Sequence, residues 1–392
     1  MIMKIAVVCD SFKGSLTSKD ACAAVKDGLL RCNKNFEVLS LPFADGGEGT
    51  SRCFYDILGG QLRKAAVHDP LLREIAAEYT VLPDGTAVID VASASGLTLL
   101  KSSERDAVKV SSLGSGELIC DAAEHGAKHI ILGLGGSATT DAGTGILYAL
   151  GMRFFSEDGV EVLPDGQNMI RVKKIRRTEN FERFKDIKFT LACDVTNPLC
   201  GENGAAYVFS PQKGASKNDV KLLDDGLRNI GEIFEKASGK KIINLPGAGA
   251  AGGIGGGLSA FLKCELQSGF DVLARAASLE NKIRRSDAVI TGEGKTDRQT
   301  LFGKLPKRVS DIAEKFGVPC ILLSGDVEND ISAEKLGVCE IHKIKENGIS
   351  LEHCMKNAAS LLSEKAFAIG KNSKIINKQY SRKQEEMREN ER

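Results

Sequence analysis

Short apolar runs along the chain end repeatedly in small or acidic residues and give way to helical periodicity. Ile5 to Cys9 leads into DSFKGS, Glu37 to Leu41 into PFADGGEGT, Ile130 to Leu134 into GGSATTDAG, Ala288 to Thr291 into GEGKTD, and Pro319 to Leu323 into SGD. This alternation predicts a parallel sheet with crossover helices. In open sheets of that kind ligands bind just beyond the carboxyl ends of the strands, so the polar loops are expected to converge. Residues 78–92, EYTVLPDGTAVIDVA, alternate across an Asp-Gly turn and predict an antiparallel hairpin. Residues 152–190 are charge-rich and irregular, with a PDG turn at 164–166, while 216–238 and 351–370 read as amphipathic helices. The expected fold class is α/β: a Rossmann-like parallel-sheet domain from residues 1–66 and 285–370, with a mixed α/β domain, 67–284, inserted into it. The tail 371–392 has seven basic and four acidic side chains and almost nothing apolar after Ile376, and is expected to be disordered.

Composition narrows the partners. The 392 residues are 42% hydrophobic, enough for a substantial core and, at roughly 100–200 residues per domain, for two domains. Lys plus Arg number 53 against 52 Asp plus Glu, which gives no electrostatic reason to expect nucleic acid or an anionic membrane. Any anion must be held locally. The opening MIMKIAVVCDSF has too short an apolar core for a signal peptide and reads as a first strand; no transmembrane run follows, and the cytoplasm is the expected location. Eleven scattered cysteines, odd in number and without a CxxC pair, form neither a disulfide framework nor a zinc ribbon. Cys193, beside Asp194, reads as a buried strand cysteine and not as a nucleophile. Five histidines lack any HxH or HExxH arrangement and exclude the usual zinc patterns.

Two stretches match the dinucleotide fingerprint in letters, GLGGSA at 133–138 and GAGAAG at 247–252. Neither lies in the first βα unit, and no acid ends a following strand about 20 residues on. For the second, a helix start pressed against a neighbour is an equal reading. TGEGKT, 291–296, fails as a Walker P-loop because the earlier glycine would fall at Val289. Yet Asp10, Asp45, Asp141, Asp194, Glu293 and Asp297 each follow or end an apolar run, and Lys13, Lys213 and Lys304 lie on the same loops. A lone Asp in such a place is an N-cap or a turn former. Six carboxylates, several lysines and much bare backbone, with no obligatory cysteine or histidine, suit phosphoryl transfer, whose transition state spreads negative charge over donors and Mg2+.

Taken together and in this order, DSFKGSL, ADGGEGT, LGLGGSATTDAGTG, CDVTNPLCGENGAAYVFSPQKGA, PGAGAAGGIGGGL and ITGEGKTDRQTLFGK resemble the bacterial glycerate kinases that phosphorylate the 2-hydroxyl. The resemblance runs from about Met3 to residue 370. It implies transfer of the γ-phosphoryl group of ATP, with Mg2+, to D-glycerate, giving 2-phosphoglycerate and ADP in a cleft of a two-domain protein. Within that reading Lys13 is expected to take the glycerate carboxylate, and Asp194, ahead of Asp45, to orient or deprotonate the hydroxyl. Asp10, Gly136, Ser137 and Asn197 complete the substrate set. Gly292, Glu293, Gly294 and Lys304 are expected at the nucleotide, Lys213 being a second candidate to face phosphates, and Glu293, Asp297 and Asp141 at the metal. The alternatives are the 3-hydroxyl or a related hydroxy acid as acceptor, a hydroxy-acid dehydrogenase, and a non-catalytic sugar-acid sensor. The oligomeric state is not legible.

Overall fold

The computed structural model describes residues 2–346 and 348–390. Its strands, in chain order, are β1 (Met3–Cys9), β2 (Phe36–Pro42), β3 (Gln61–His68), β4 (Glu74–Val81), β5 (Ala87–Asp90), β6 (His129–Gly133), β7 (Met152–Phe155), β8 (Lys174–Arg177), β9 (Lys188–Ala192), β10 (Lys263–Gln267), β11 (Ala288–Thr296), β12 (Cys320–Val327) and β13 (Glu340–Lys343). The chain divides into a discontinuous unit, Met1–Ala44 with Leu273–Arg392, and an inserted unit, Asp45–Val272.

The discontinuous unit is built on a five-stranded sheet of order β13-β12-β11-β1-β2, parallel throughout. Apart from Lys4, every residue of β1 is buried, as expected of a parallel strand covered on both faces. The helices Ser18–Cys32 and Ala358–Asn372 cross closely, since a Cβ on Gly28 would stand 2.0 Å from the Ser363 carbonyl oxygen. The expected helix over 351–370 is two, Leu351–Lys356 and Ala358–Asn372, interrupted at Asn357.

The tail corrects an expectation. Instead of being disordered it is helical over Lys374–Asn390, its last two residues lying outside the described residues. Ile376 is fully buried, Ile375 and Tyr380 pack on the same core, and the Tyr380 ring meets Phe36 edge-on at 5.9 Å. Three apolar residues on one helical face, with Lys383 paired to Asp287 at 3.0 Å, dock a segment whose average composition is polar.

The inserted unit holds a six-stranded mixed sheet of order β10-β9-β6-β5-β4-β3 and a separate β7–β8 pair. Strands β10, β9, β6 and β5 are parallel, and β5, β4 and β3 antiparallel; the Asp-Gly hairpin is β4–β5, with Thr80 opposite Val88. The long helix Lys217–Ser238 starts at a reciprocal Ser216–Asp219 capping box and stops at left-handed Gly239.

The unit begins and ends earlier than the expected 67 and 284. Strand β3 pairs with β4 over its whole length, and Ser51, on the helix Thr50–Leu58, bonds Thr80 Oγ1 and the Val88 carbonyl, both at 2.9 Å. Helix Leu279–Arg284 instead packs with Leu305–Lys315 in the discontinuous unit, where Lys315 pairs with Glu280.

Leu72 is held left-handed at φ +62°, because Asp69 clamps its turn by accepting from the N–H groups of Leu71 (2.8 Å) and Arg73 (3.0 Å). That conformation costs an L-residue roughly 1–2 kcal/mol, part of which glycine loses again as chain entropy. Leu72→Gly is therefore expected to raise the unfolding free energy by about 0.5–1 kcal/mol in urea titrations; a destabilised variant would show that Leu72 makes contacts that outweigh its strain.

Candidate active site

In the inserted unit β5, β6 and β9 end side by side, and three of the loops singled out in the sequence meet there. The Leu134 N–H donates to the Ala192 carbonyl (3.1 Å) and the Gly135 N–H to that of Gly46 (3.0 Å). A Cβ on Gly46 would lie 2.8 Å from the Ala192 oxygen, and one on Gly135 2.6 Å from Gly47 Cα. The ADGGEG loop thus rests on the ends of β6 and β9 by backbone contacts that side chains would block. Asp45 and Asp194, both exposed, belong to this cluster, Asp194 two residues beyond Ala192.

Asp90, at the end of β5, anchors the same loop and escaped the sequence reading. Its carboxylate accepts from the N–H groups of Gly49 and Ser51, both at 2.9 Å. Burial pushes its pKa up to about 7, against the pull of those two bonds. The available signal was an acid directly after the apolar run AVI at 87–89, masked by the hairpin pattern.

Asp141 is fully buried and spends its oxygens inside the protein. It accepts from Ser112 N–H (2.9 Å), Ser112 Oγ (2.7 Å), Gly143 N–H (3.0 Å) and Gly145 N–H (3.4 Å). Burial pulls its pKa up, and these donors oppose it. Next to it Ala142 takes φ +53° and donates its N–H to the Gly252 carbonyl at 3.0 Å. Ala251, Gly252 and Gly253 are also left-handed; a Cβ on Gly252 would meet the Thr139 oxygen at 2.0 Å, and one on Gly257 the Ala142 oxygen at 1.9 Å. GAGAAG is therefore a packing surface for the 139–143 loop. Of the two readings open for that motif, close packing is the one the backbone adopts.

Lys213 is only 3% exposed, and its Nζ donates to Ser137 Oγ (3.0 Å) and the Thr139 carbonyl (2.7 Å). Burial lowers its pKa to about 8, with Asp141 opposing. Gly136 beside it is exposed, Ser137 is buried, and Thr139 Oγ1 is buried without a hydrogen-bond partner. Asn197 donates through Nδ2 to the Asn203 carbonyl (2.8 Å), so its side chain shapes its own loop.

The discontinuous unit collects the second set at the ends of β1, β11 and β12. The Asp10 N–H donates to the Gly292 carbonyl (2.9 Å), and a Cβ on Gly294 would stand 3.2 Å from Phe12 Cα, so DSFKGS lies against TGEG with Lys13 exposed. Glu293, 5% exposed, accepts from Thr300 Oγ1 at 2.7 Å; burial raises its pKa against Thr300, Thr296 and Lys304. Asp297 caps the turn Arg298–Leu301, accepting from Gln299 N–H (2.9 Å) and Lys304 Nζ (3.3 Å). Burial pulls its pKa up, but Lys304 and the cap hold it below the usual range.

Among the described residues no cluster of three or more His, Cys, Asp or Glu could hold a metal ion. Mg2+ takes one or two protein carboxylates and completes its shell with phosphate and water, and Glu293 with Asp297, whose charge acts on Glu293, fits that demand. Asp141, buried and engaged four times over, does not. Among the described residues no helix is long and apolar enough to cross a membrane.

Residues 5–374 match the profile described as the Glycerate kinase family. A glycerate kinase of Halalkalibacterium halodurans is 38% identical over 364 residues, covering 92% of this chain and 96% of the relative. A glycerate 2-kinase of Escherichia coli is 41% identical over 330 residues, covering 84% and 87%. The crystal structure of a candidate glycerate kinase 2 from Salmonella typhimurium LT2 superposes with a TM-score of 0.83 at 34% identity, covering 94% of this chain and 98% of that one.

Asp90 supplies a test of the loop anchor. Its pKa near 7 in the folded chain lies above the 3.8 of a free Asp, so between those values the folded state holds the extra proton. Its contribution is full below about pH 4 and is lost as pH rises to about 7, by at most about 1.4 kcal/mol per pH unit. In urea titrations the native chain should lose stability relative to Asp90→Asn between pH 5 and 7 and run parallel to it above pH 8. Parallel behaviour throughout would mean that Asp90 is ionised in the folded chain.

Proposed function

The chain belongs to the glycerate kinase family, and we propose that it transfers the γ-phosphoryl group of ATP to the 2-hydroxyl of D-glycerate, giving 2-phosphoglycerate and ADP. The choice of hydroxyl is supported by the relative named glycerate 2-kinase. The observation that carries the acceptor side is the buried ammonium of Lys213 under the Gly136–Ser137 turn. Ser137 Oγ accepts from Lys213, so its own proton is left to donate to an anion, and the Gly136 backbone is exposed beside it. We assign the glycerate carboxylate to this turn, with Lys213 as the positioning residue that polarises it. Lys13, on the other unit, then goes with the nucleotide phosphates.

Asp194 is assigned as the carboxylate that receives the hydroxyl proton, with Asp45 in a supporting position. The acceptor oxygen bonds to the γ-phosphorus as the bridging β,γ bond breaks, and the electron pair leaves with ADP. Gly292, Gly294, Glu293 and Lys304 are assigned to the nucleotide. Glu293 and Asp297 would hold Mg2+, which when bound neutralises charge on the phosphates. Asp141 we assign to the loop alone. The dehydrogenase alternative loses GAGAAG, which is spent on packing. The eleven free thiols support a reducing compartment, the cytoplasm.

An ADP-release assay with ATP, Mg2+ and D-glycerate, followed by phosphorus NMR of the product, tests the reading. The expected product is 2-phosphoglycerate, and Asp194→Asn is expected to lower kcat by roughly 10²–10⁴-fold with folding intact. A 3-phosphoglycerate signal would refute the regiochemistry. No turnover with D-glycerate still bound would favour the sensor, and near-native turnover of the Asn variant would transfer the proton-accepting role to Asp45.

A further inference from the structure

We infer that Phe302 is the stacking platform for the base of the nucleotide. The inference rests on the kinase reading above and goes beyond it by assigning a residue that the sequence motifs passed over. Phe302 is 90% exposed, whereas the next most exposed large apolar side chain among the described residues, Leu163, reaches 68%. The ring is not on a loose loop. Phe302 N–H donates to the Gln299 carbonyl (3.1 Å), closing the turn Arg298–Leu301 that Asp297 caps. Thr300, inside that turn, is tied to Glu293 by the 2.7 Å bond of its hydroxyl. Gly303 follows with φ +105° and open space around it, and Lys304, two residues past the ring, pairs with Asp297 at 3.3 Å. The backbone that carries the ring is therefore fixed beside the acids and lysine assigned to the nucleotide, beyond the carboxyl end of β11.

The chemistry of the reactants selects the occupant. Glycerate is small and polar throughout, whereas the nucleotide carries a flat aromatic base. A phenyl ring has no hydrogen-bonding atom, so it can offer a base area but cannot read its edge. The inference therefore carries a specificity: affinity should follow stacking area, with purine triphosphates used better than pyrimidine triphosphates and little distinction between adenine and guanine from this residue.

The chain contains no tryptophan, so Phe302→Trp introduces a single indole at the site in question, excited selectively over the five tyrosines. Mg-ATP is expected to quench its emission, saturating at the concentration at which calorimetry shows the native chain binding Mg-ATP. Phe302→Ala is expected to raise KM for ATP by about tenfold, with kcat and KM for D-glycerate unchanged, and Phe302→Tyr to restore the native value. Native-like KM for ATP in the Ala variant with an unquenched Trp variant would overturn the inference and leave the kinase reading standing. So would a change in sedimentation of the Ala variant at native KM, since the ring would then join copies of the chain. A native chain that binds no Mg-ATP by calorimetry would instead sink the kinase reading and this inference with it.

Discussion

The inserted unit depends on one close approach of two backbones. Residues 139–143 and 252–257 touch where a single added Cβ would come within 2.0 Å of a carbonyl oxygen, and both strands of the contact turn left-handed to make it. Nothing larger than hydrogen fits at Gly252 or Gly257. Because the Ala142 conformation is costly, something must hold it, and the buried Asp141 does so by taking four hydrogen bonds from Ser112, Gly143 and Gly145, while the Ala142 N–H joins the facing segment at the Gly252 carbonyl. Lys213 ties the outer end of the same loop through the Thr139 carbonyl. What is left facing outward is the short turn at Gly135 and Gly136, with Ser137 beneath it.

The discontinuous unit uses the same device independently. Gly294 and Gly325 approach so closely that a Cβ on Gly325 would lie 2.2 Å from the Gly294 oxygen, and Phe12 lies against Gly294 from the other side. A carboxylate, here Glu293, is again drawn inward and given a hydroxyl partner. In both units the glycines remove side chains so that loops from different strands can lie on one another, and the acids then fix the loops. This division of labour explains why six strand-end carboxylates need not all be catalytic. Of the six, Asp141 is structural in its contacts, as is Asp90 outside that set, whereas Asp45 and Asp194 remain exposed.

Much of this was legible because it depends on local pattern. Runs ending in acids predicted the parallel strands, and PDGT between apolar alternations predicted β4–β5. Features set by tertiary contact were not legible. The dinucleotide-like letters of GAGAAG do not distinguish a backbone that approaches a phosphate from one that approaches another backbone. Lys213, in a polar stretch, gave no sign of burial, and Asp90 was hidden inside a strand pattern of period two. Composition averages over the tail helix, whose docking is made by a few positions: Ile375, Ile376 and Tyr380 on the core, and Lys383 paired with Asp287 at 3.0 Å. The domain boundary moved for a similar reason: β3 is committed by its antiparallel pairing with β4, and Ser51 by Thr80 and Val88 some way along the chain, which no local signal near residue 45 announces.

In the free chain the 135–138 turn, to which we assigned the glycerate carboxylate, is already built. Amide hydrogen exchange on the free chain, and again with D-glycerate, tests it most directly. Slow exchange is expected at Ser112, Ala142, Gly143 and Ile146 in the free chain, unchanged by D-glycerate, with new protection confined to residues 135–138. Fast exchange at those four amides, slowed only when D-glycerate binds, would show that the loop is assembled by the substrate and that the glycine nest does not hold it.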